Sequence, residues 1–328
     1  MQLLLLGGCS AFILAALCVI LFIPILRRLK FGQEIREEGP KWHAKKSGTP
    51  TMGGFIFIVA EAVALGLCWI LGKTTGGQMP RGTDLSLMFV IALAYGVIGF
   101  IDDYIKVILK RNLGLTAGQK FGLQFLIALG FVCWAVFTDR IGTGVCIPFV
   151  SWEVNMGWLF IPFAVLVILA TVNSVNLTDG LDGLATCVTI VVAVFFLLFS
   201  SSSKIGNPAV ALFASVLLGS LLGFLLYNKY PAKVFMGDTG SLFLGGAVCG
   251  MAILLEQPLA LLIVGFVYVM ESLSVILQVV SYKTTGKRIF KMSPIHHHFE
   301  MCGWSEKKVV AVFTLVTLIL CGLMYLFG

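Results

Sequence analysis

Long apolar runs alternate with short polar intervals along this chain. A helix needs about 20 apolar residues to cross a bilayer. Such windows occur ten times, at 3–26, 52–72, 85–101, 120–138, 157–175, 183–201, 209–227, 239–255, 259–281 and 309–327. The pattern predicts an all-α integral membrane protein with ten transmembrane helices, a single transmembrane domain over 1–328 with only short loops between spans. The first window has no basic residue before it and is followed by Arg27 and Arg28. That is the reverse of a secretory signal, so it is expected to remain as a span.

Charge adds an orientation. The odd-numbered loops hold 19 Lys and Arg residues, and the even-numbered loops hold 4 (Lys73, Arg81, Arg140 and Lys204). Basic residues concentrate on the cytoplasmic side of membrane proteins. The odd loops are therefore expected to be cytoplasmic and both termini extracytoplasmic. The same partition puts Asp102, Asp103, Asp179, Asp182, Asp238 and all 4 histidines (His43, His296, His297, His298) on the cytoplasmic side. It leaves Asp84 and Asp139 outside. An active site is thus expected on the cytoplasmic face.

Composition excludes other classes. Charged residues make up 12% of the 328, against about 25% in soluble domains, and 59% are hydrophobic. A soluble enzyme of this size could not enclose that much apolar surface, and a disordered chain would not carry it. Nine scattered cysteines, with no CxxC pair, give no disulfide framework and no zinc site. The basic residues show no aromatic interleaving, so no nucleic-acid partner is expected.

Five polar clusters sit at span ends. Asp102-Asp103-Tyr104-Ile105-Lys106 closes the third window. Its plain reading is a solvated helix end with an i,i+4 ion pair. Two carboxylates at a helix C-terminus nevertheless oppose the helix dipole and need a cation, and side chains about 100° apart would converge only on a ligand between them. Asn173, Asn176, Asp179 and Asp182 recur at every third residue through a tight turn, with Asp182 read as the N-cap of the sixth span. Asparagines at membrane depth should face a wet interior. Phe235-Met236-Gly237-Asp238-Thr239-Gly240 opens the eighth span, where Asp238 is either an N-cap or a cation ligand. His296-His297-His298 follows Pro294. Three consecutive imidazoles cannot share one helix face, so they do not form a zinc site; one or two face a site and the third packs. Lys45-Lys46-Ser47-Gly48-Thr49-Pro50-Thr51 suits either a membrane surface or a phosphate. Glu61 and Glu271 lie within spans and read as interhelical pairs.

Hard oxygen ligands and lysines gathered on one membrane face suit a divalent cation and phosphates. The residues point to a metal-dependent enzyme that joins a phosphorylated soluble donor to a lipid phosphate.

The runs Asp102-Asp103-x-x-Lys106, Asn176 through Gly183, Phe235 through Gly240 and Pro294 through Glu300 resemble those of the polyprenyl-phosphate N-acetylhexosamine-1-phosphate transferases. Gly48-Thr49-Pro50-Thr51-Met52-Gly53-Gly54 and His296 through Trp304 resemble the bacterial branch that transfers phospho-N-acetylmuramoyl-pentapeptide. The resemblance covers essentially the whole chain. It implies transfer of that group from UDP-N-acetylmuramoyl-pentapeptide to undecaprenyl phosphate, giving UMP and lipid I, in the bacterial cytoplasmic (inner) membrane. It also implies Mg2+ and a homodimer. By resemblance Asp238 is the foremost Mg2+ ligand, with Asp102 and Asp103 beside it and Asp102 the base for the lipid phosphate. His296 is expected to be essential and His297 to touch the donor. Lys46, Thr51, Asn176, Asp179, Asp182, Asn228 and Phe235 would bind the nucleotide sugar, Phe235 by stacking on uracil. Lys106 and Lys120 would hold phosphates, and Gln278 joins the substrate-binding set. The base role is limited by chemistry: a phosphate monoester has a second pKa near ~6, so the lipid phosphate is largely ionised already. A sibling transferase using UDP-N-acetylglucosamine and a lipid or nucleotide transporter are the alternatives. A transporter should show repeated halves and midplane sites, and neither is evident.

Overall fold

The computed structural model describes residues 1–28, 46, 48–74, 80–107, 109, 114–150, 152–202 and 205–328. His43 and the basic residues Lys30, Arg36, Lys41, Lys45, Lys110, Arg111 and Lys204, all included in the partition above, lie outside them.

Among the described residues, ten helices are long and apolar enough to span a membrane. They are α1 (Gln2–Arg28), α2 (Gly54–Thr74), α3 (Gly82–Val107), α4 (Ala117–Phe137), α5 (Phe160–Thr178), α6 (Leu184–Ser201), α7 (Pro208–Asn228), α8 (Gly237–Leu254), and, after the four-residue α9 (Leu261–Val264), α10 (Phe266–Thr285). The short α11 (Ile295–Met301) precedes the tenth span, α12 (Glu306–Phe327). The expected all-α membrane architecture holds. One addition is a two-stranded antiparallel ribbon, β1 (Gly144–Ile147) with β2 (Trp152–Asn155), between α4 and α5.

Local sequence sets several helix starts. Thr116 and Gln119 form a capping box on α4: the Thr116 hydroxyl accepts the Gln119 N–H at 3.3 Å, and the Gln119 side chain accepts the Thr116 N–H at 3.1 Å. Asn207 caps α7, with Pro208 in its first turn, and Ser305 caps α12. Asp182 does not cap α6. That helix begins after Gly183, whose φ of 78° suits glycine, and has no side-chain cap.

α7 and α8 are enclosed on nearly all sides, whereas α1, α4, α10 and α12 leave most of their surface outward. α8 packs against α2, α3 and α5, and α1 packs against α7. Close backbone approach fixes the start of α8. A Cβ on Gly99 of α3 would strike the carbonyl of Asp238, and one on Gly54 would strike the backbone of Gly240. Glycine at these crossings lets three helices meet at one end of the bundle.

The two intramembrane glutamates separate. Glu271 pairs with His296, as described below. Glu61 is fully buried in α2, and among the described residues neither of its carboxyl oxygens has a hydrogen-bond partner. Its expected interhelical pairing is therefore not found there. A buried polar group without a partner costs about 1–3 kcal/mol. Glu61→Leu is accordingly expected to raise the melting temperature in detergent, measured by thermal denaturation; a lower melting temperature would contradict the burial argument.

Candidate active site

The C-terminal end of α3 and the start of α8 form the centre. Asp102 and Asp103, adjacent in sequence, serve different partners. Asp103 turns to α8: its Oδ1 accepts the Asp238 N–H at 3.2 Å. Its Oδ2 accepts the Thr239 N–H at 2.9 Å and the Thr239 hydroxyl at 2.7 Å. α8 has no cap of its own, and Asp103 supplies one from another helix. Asp102 turns to the lysines. Its Oδ2 lies 2.6 Å from the Lys106 Nζ and 3.6 Å from the Lys120 Nζ, while Oδ1 accepts the Leu115 N–H at 2.6 Å. The two carboxylates thus diverge rather than converging on one ligand.

Asp238 shares the lysines with Asp102. Its Oδ2 receives Lys106 and Lys120, each at 2.9 Å, and its Oδ1 accepts the Asn176 side-chain N–H at 2.9 Å. Asn176 also donates to the Ser241 hydroxyl at 2.8 Å. The expected N-cap role for Asp238 is taken over by Asp103, which leaves the Asp238 carboxylate free for charge chemistry. Asp179 sits half-buried at the C-terminal end of α5. Burial holds its carboxyl well above the usual carboxylate range, and the carboxylates of Asp238, Asp103 and Asp182 push the same way.

A second cluster borders the first. Lys46 Nζ lies 2.6 Å from both Asp182 Oδ1 and Glu306 Oε1. Glu306 accepts the Asp182 N–H at 2.6 Å, and Asp182 Oδ2 accepts the Ala232 N–H at 2.8 Å. The segment before α2 is tied to the segment before α8. Phe235 donates its N–H to the Pro50 carbonyl and accepts the Gly53 N–H, both at 2.8 Å, and the Gly54 N–H donates to Met236 O at 2.9 Å. Thr51 is buried against the start of α8, where a Cβ on Gly237 would meet its hydroxyl.

Burial sorts the expected site residues into two groups. Asn228 is buried and holds its own neighbourhood, donating to the Val234 carbonyl at 3.0 Å and accepting the Thr186 hydroxyl at 2.7 Å. Gln278 is also buried; it accepts the Ile289 and Phe290 N–H groups at 3.0 and 2.9 Å and donates to the Phe290 carbonyl at 2.9 Å. Their side-chain hydrogen bonds brace loops. Lys46, Lys106, Lys120, Asn176, Asp179, Phe235, Asp238 and His297 remain only partly buried, so they keep surface with which to meet a ligand.

The three histidines have three different partners. His296 is buried, with Nδ1 2.9 Å from Glu271 Oε2. His297 Nδ1 lies 2.7 Å from Glu300 Oε2. His298 Nδ1 accepts the Lys291 N–H at 3.1 Å. Glu271 and Glu306 belong to this region but were not expected in it. No sequence motif marks Glu306, and Glu271 lies too far from its partner along the chain for spacing to reveal the pair.

The Oδ2 atoms of Asp102 and Asp238 converge on one cationic centre, the Lys106 ammonium. Paired hard oxygens of this kind fit a magnesium ion. Among the described residues, no group of 3 or more metal-ligating side chains gathers. A cation here would draw its other ligands from phosphate oxygens and water, which is common for magnesium. Lysines and carboxylates gathered at one end of a helical bundle suit an enzyme that handles phosphate groups at a membrane.

Comparison with known proteins agrees. Residues 85–256, a segment running from α3 to just past α8, match the family model of glycosyl transferase family 4. The phospho-N-acetylmuramoyl-pentapeptide-transferase of Clostridium beijerinckii is 50% identical over 303 residues, covering 92% of this chain and 89% of the relative. That of Clostridium perfringens strain 13 is 48% identical over 311 residues, covering 95% of this chain and 94% of the relative. The chain belongs to the phospho-N-acetylmuramoyl-pentapeptide-transferase family. It is a multi-pass protein of the bacterial cytoplasmic membrane.

Proposed function

We propose that the protein transfers phospho-N-acetylmuramoyl-pentapeptide from UDP-N-acetylmuramoyl-pentapeptide to undecaprenyl phosphate, giving lipid I and UMP. Family membership gives the reaction. The observation that carries it to this site is the sharing of Lys106 and Lys120 between Asp102 and Asp238 at the end of a transmembrane bundle. The uneven loop charges support a reading in which that end faces the cytoplasm and both termini lie outside. By the family resemblance, the proposed active unit is a homodimer.

Asp238 and Asp102 would hold Mg2+, with Asp103 fixing the backbone on which Asp238 stands. Bound there, Mg2+ would neutralise charge on the diphosphate of the donor. Lys106 and Lys120, now bound to carboxylates, are in position to pair with phosphate oxygens. Asn176 holds the Asp238 carboxylate in orientation. Asp102 is already engaged by Lys106 and the Leu115 N–H, and the lipid phosphate needs little deprotonation. Its work is to hold and orient rather than to take a proton. The lipid phosphate then attacks the sugar-linked phosphorus directly, and UMP leaves.

Purified protein in detergent with undecaprenyl phosphate and the UDP-sugar is expected to release UMP only when Mg2+ and the lipid are both present. UMP exchange into the UDP-sugar without any lipid phosphate would reject the one-step route in favour of a covalent enzyme intermediate. No release with this donor, but release with UDP-N-acetylglucosamine, would reassign the substrate to the sibling class.

Phe235 is the proposed uracil platform. Its ring lies half-buried on a segment pinned by backbone bonds to Pro50 and Gly53. Losing base stacking costs about 1–3 kcal/mol. Phe235→Ala should weaken UMP binding correspondingly in a calorimetric titration, and unchanged affinity would remove the stacking role.

A further inference from the structure

His296 has one ring nitrogen paired and, among the described residues, one without a partner. Nδ1 meets Glu271 Oε2 at 2.9 Å, with the two side chains 1% and 0% exposed. Nε2 is buried and, among the described residues, has no hydrogen-bond partner. It faces Gly180, directly after Asp179 in the loop between α5 and α6. A Cβ on residue 180 would run into the Nε2 side of the ring. Imidazole nitrogens are not interchangeable: the partner on one decides what the other can do. A buried nitrogen left without a partner is costly, and it marks the place where a ligand atom would complete the site.

We propose that Glu271 is a positioning residue for the transfer reaction. Its carboxylate, within α10, accepts from Nδ1, fixes the plane of the ring, and sets Nε2 beside the Asp179–Gly180 turn, where the ring, with a proton on both nitrogens, would donate to a phosphate oxygen of the donor. Gly180 is the other half of the device, because any side chain there would collide with the Nε2 edge of the ring. This assignment rests on the reaction proposed above. It explains why a carboxylate is kept within a membrane-spanning helix: its partner lies not on a neighbouring span but on the short α11, which it holds in register with the site.

Glu271→Gln retains the shape of the side chain and removes the charge. It is expected to lower kcat about 10- to 100-fold, the range for groups that orient a functional histidine, with little change in KM for the UDP-sugar. His296→Ala combined with Glu271→Gln should be no slower than His296→Ala alone. An equal further loss in the double variant would show that Glu271 acts elsewhere, and would overturn the proposal. Selective 15N labelling of the 4 histidines gives a readout independent of turnover. The His296 resonances should report a bonded Nδ1 in the wild type and change in Glu271→Gln; an unchanged pattern would also overturn the proposal. If Glu271→Gln does not fold, Gly180→Ala carries the test: its Cβ would press on the Nε2 edge of the His296 ring. A normal kcat in that variant would overturn the proposal. A wild-type protein that releases no UMP refutes the proposed reaction instead, and the 15N spectra still decide whether Glu271 sets the ring.

Discussion

Asp238→Asn is expected to abolish transfer while the bundle stays folded in detergent. Oδ2 of Asp238 is the meeting point of Lys106 and Lys120, and Oδ1 takes the Asn176 side-chain N–H. Asparagine fills the same volume but brings no charge. Its amide would leave both ammonium groups with Asp102 alone and would offer at most one neutral oxygen to a magnesium ion. Removal of one preorganised electrostatic group typically costs about 10²- to 10³-fold in kcat, and loss of a cation position adds to that. Stability should change little, because the backbone of α8 is held by Asp103 and by close contact with Gly99. UMP release and a thermal melt on the same preparation check both halves. Near-normal turnover would remove Asp238 from the site.

Asp103→Ala should behave differently, losing stability together with activity. Asp103 makes three hydrogen bonds to the first turn of α8, and it is 5% exposed. Hydrogen bonds to charged groups are worth about 1.5–3 kcal/mol each, so a net loss of about 3 kcal/mol is a conservative expectation. At roughly 2–4 °C per kcal/mol for larger domains, the melting temperature should fall by about 6–12 °C. Activity should fall as well, because Asp238 stands on the turn that loosens. A variant that melts like the wild type yet loses activity would instead make Asp103 a direct ligand.

Apolar windows of bilayer length were legible because nothing in lipid competes with a helix for backbone hydrogen bonds. Their ends were less so. The window 85–101 stops at the carboxylates, yet α3 runs on to Val107 and carries Lys106 with it. The window 259–281 reads through Gly265, where the chain breaks between α9 and α10. The ribbon from Gly144 to Asn155 was invisible to a search for long apolar runs, since each strand has only four residues. At the site, residue types were readable and their partners were not. Asp102 and Asp103 read as a pair, but which helix each serves depends on how α3 lies against α8. Asn228 and Gln278 read as ligand contacts, and the loop segments that their side chains also hold were not legible. Glu271 and His296 are joined only by tertiary packing.

The touching backbones at Gly54 and Gly99 have a consequence for mutational surveys. These positions carry no chemistry, and exchange of a helical glycine for alanine ordinarily adds stability. Here an added methyl group would push α2 or α3 away from the first turn of α8 and separate Asp102 from Asp238. A scan scored by growth alone would rank these two inert residues beside the aspartates, and only their position at a helix crossing would explain why.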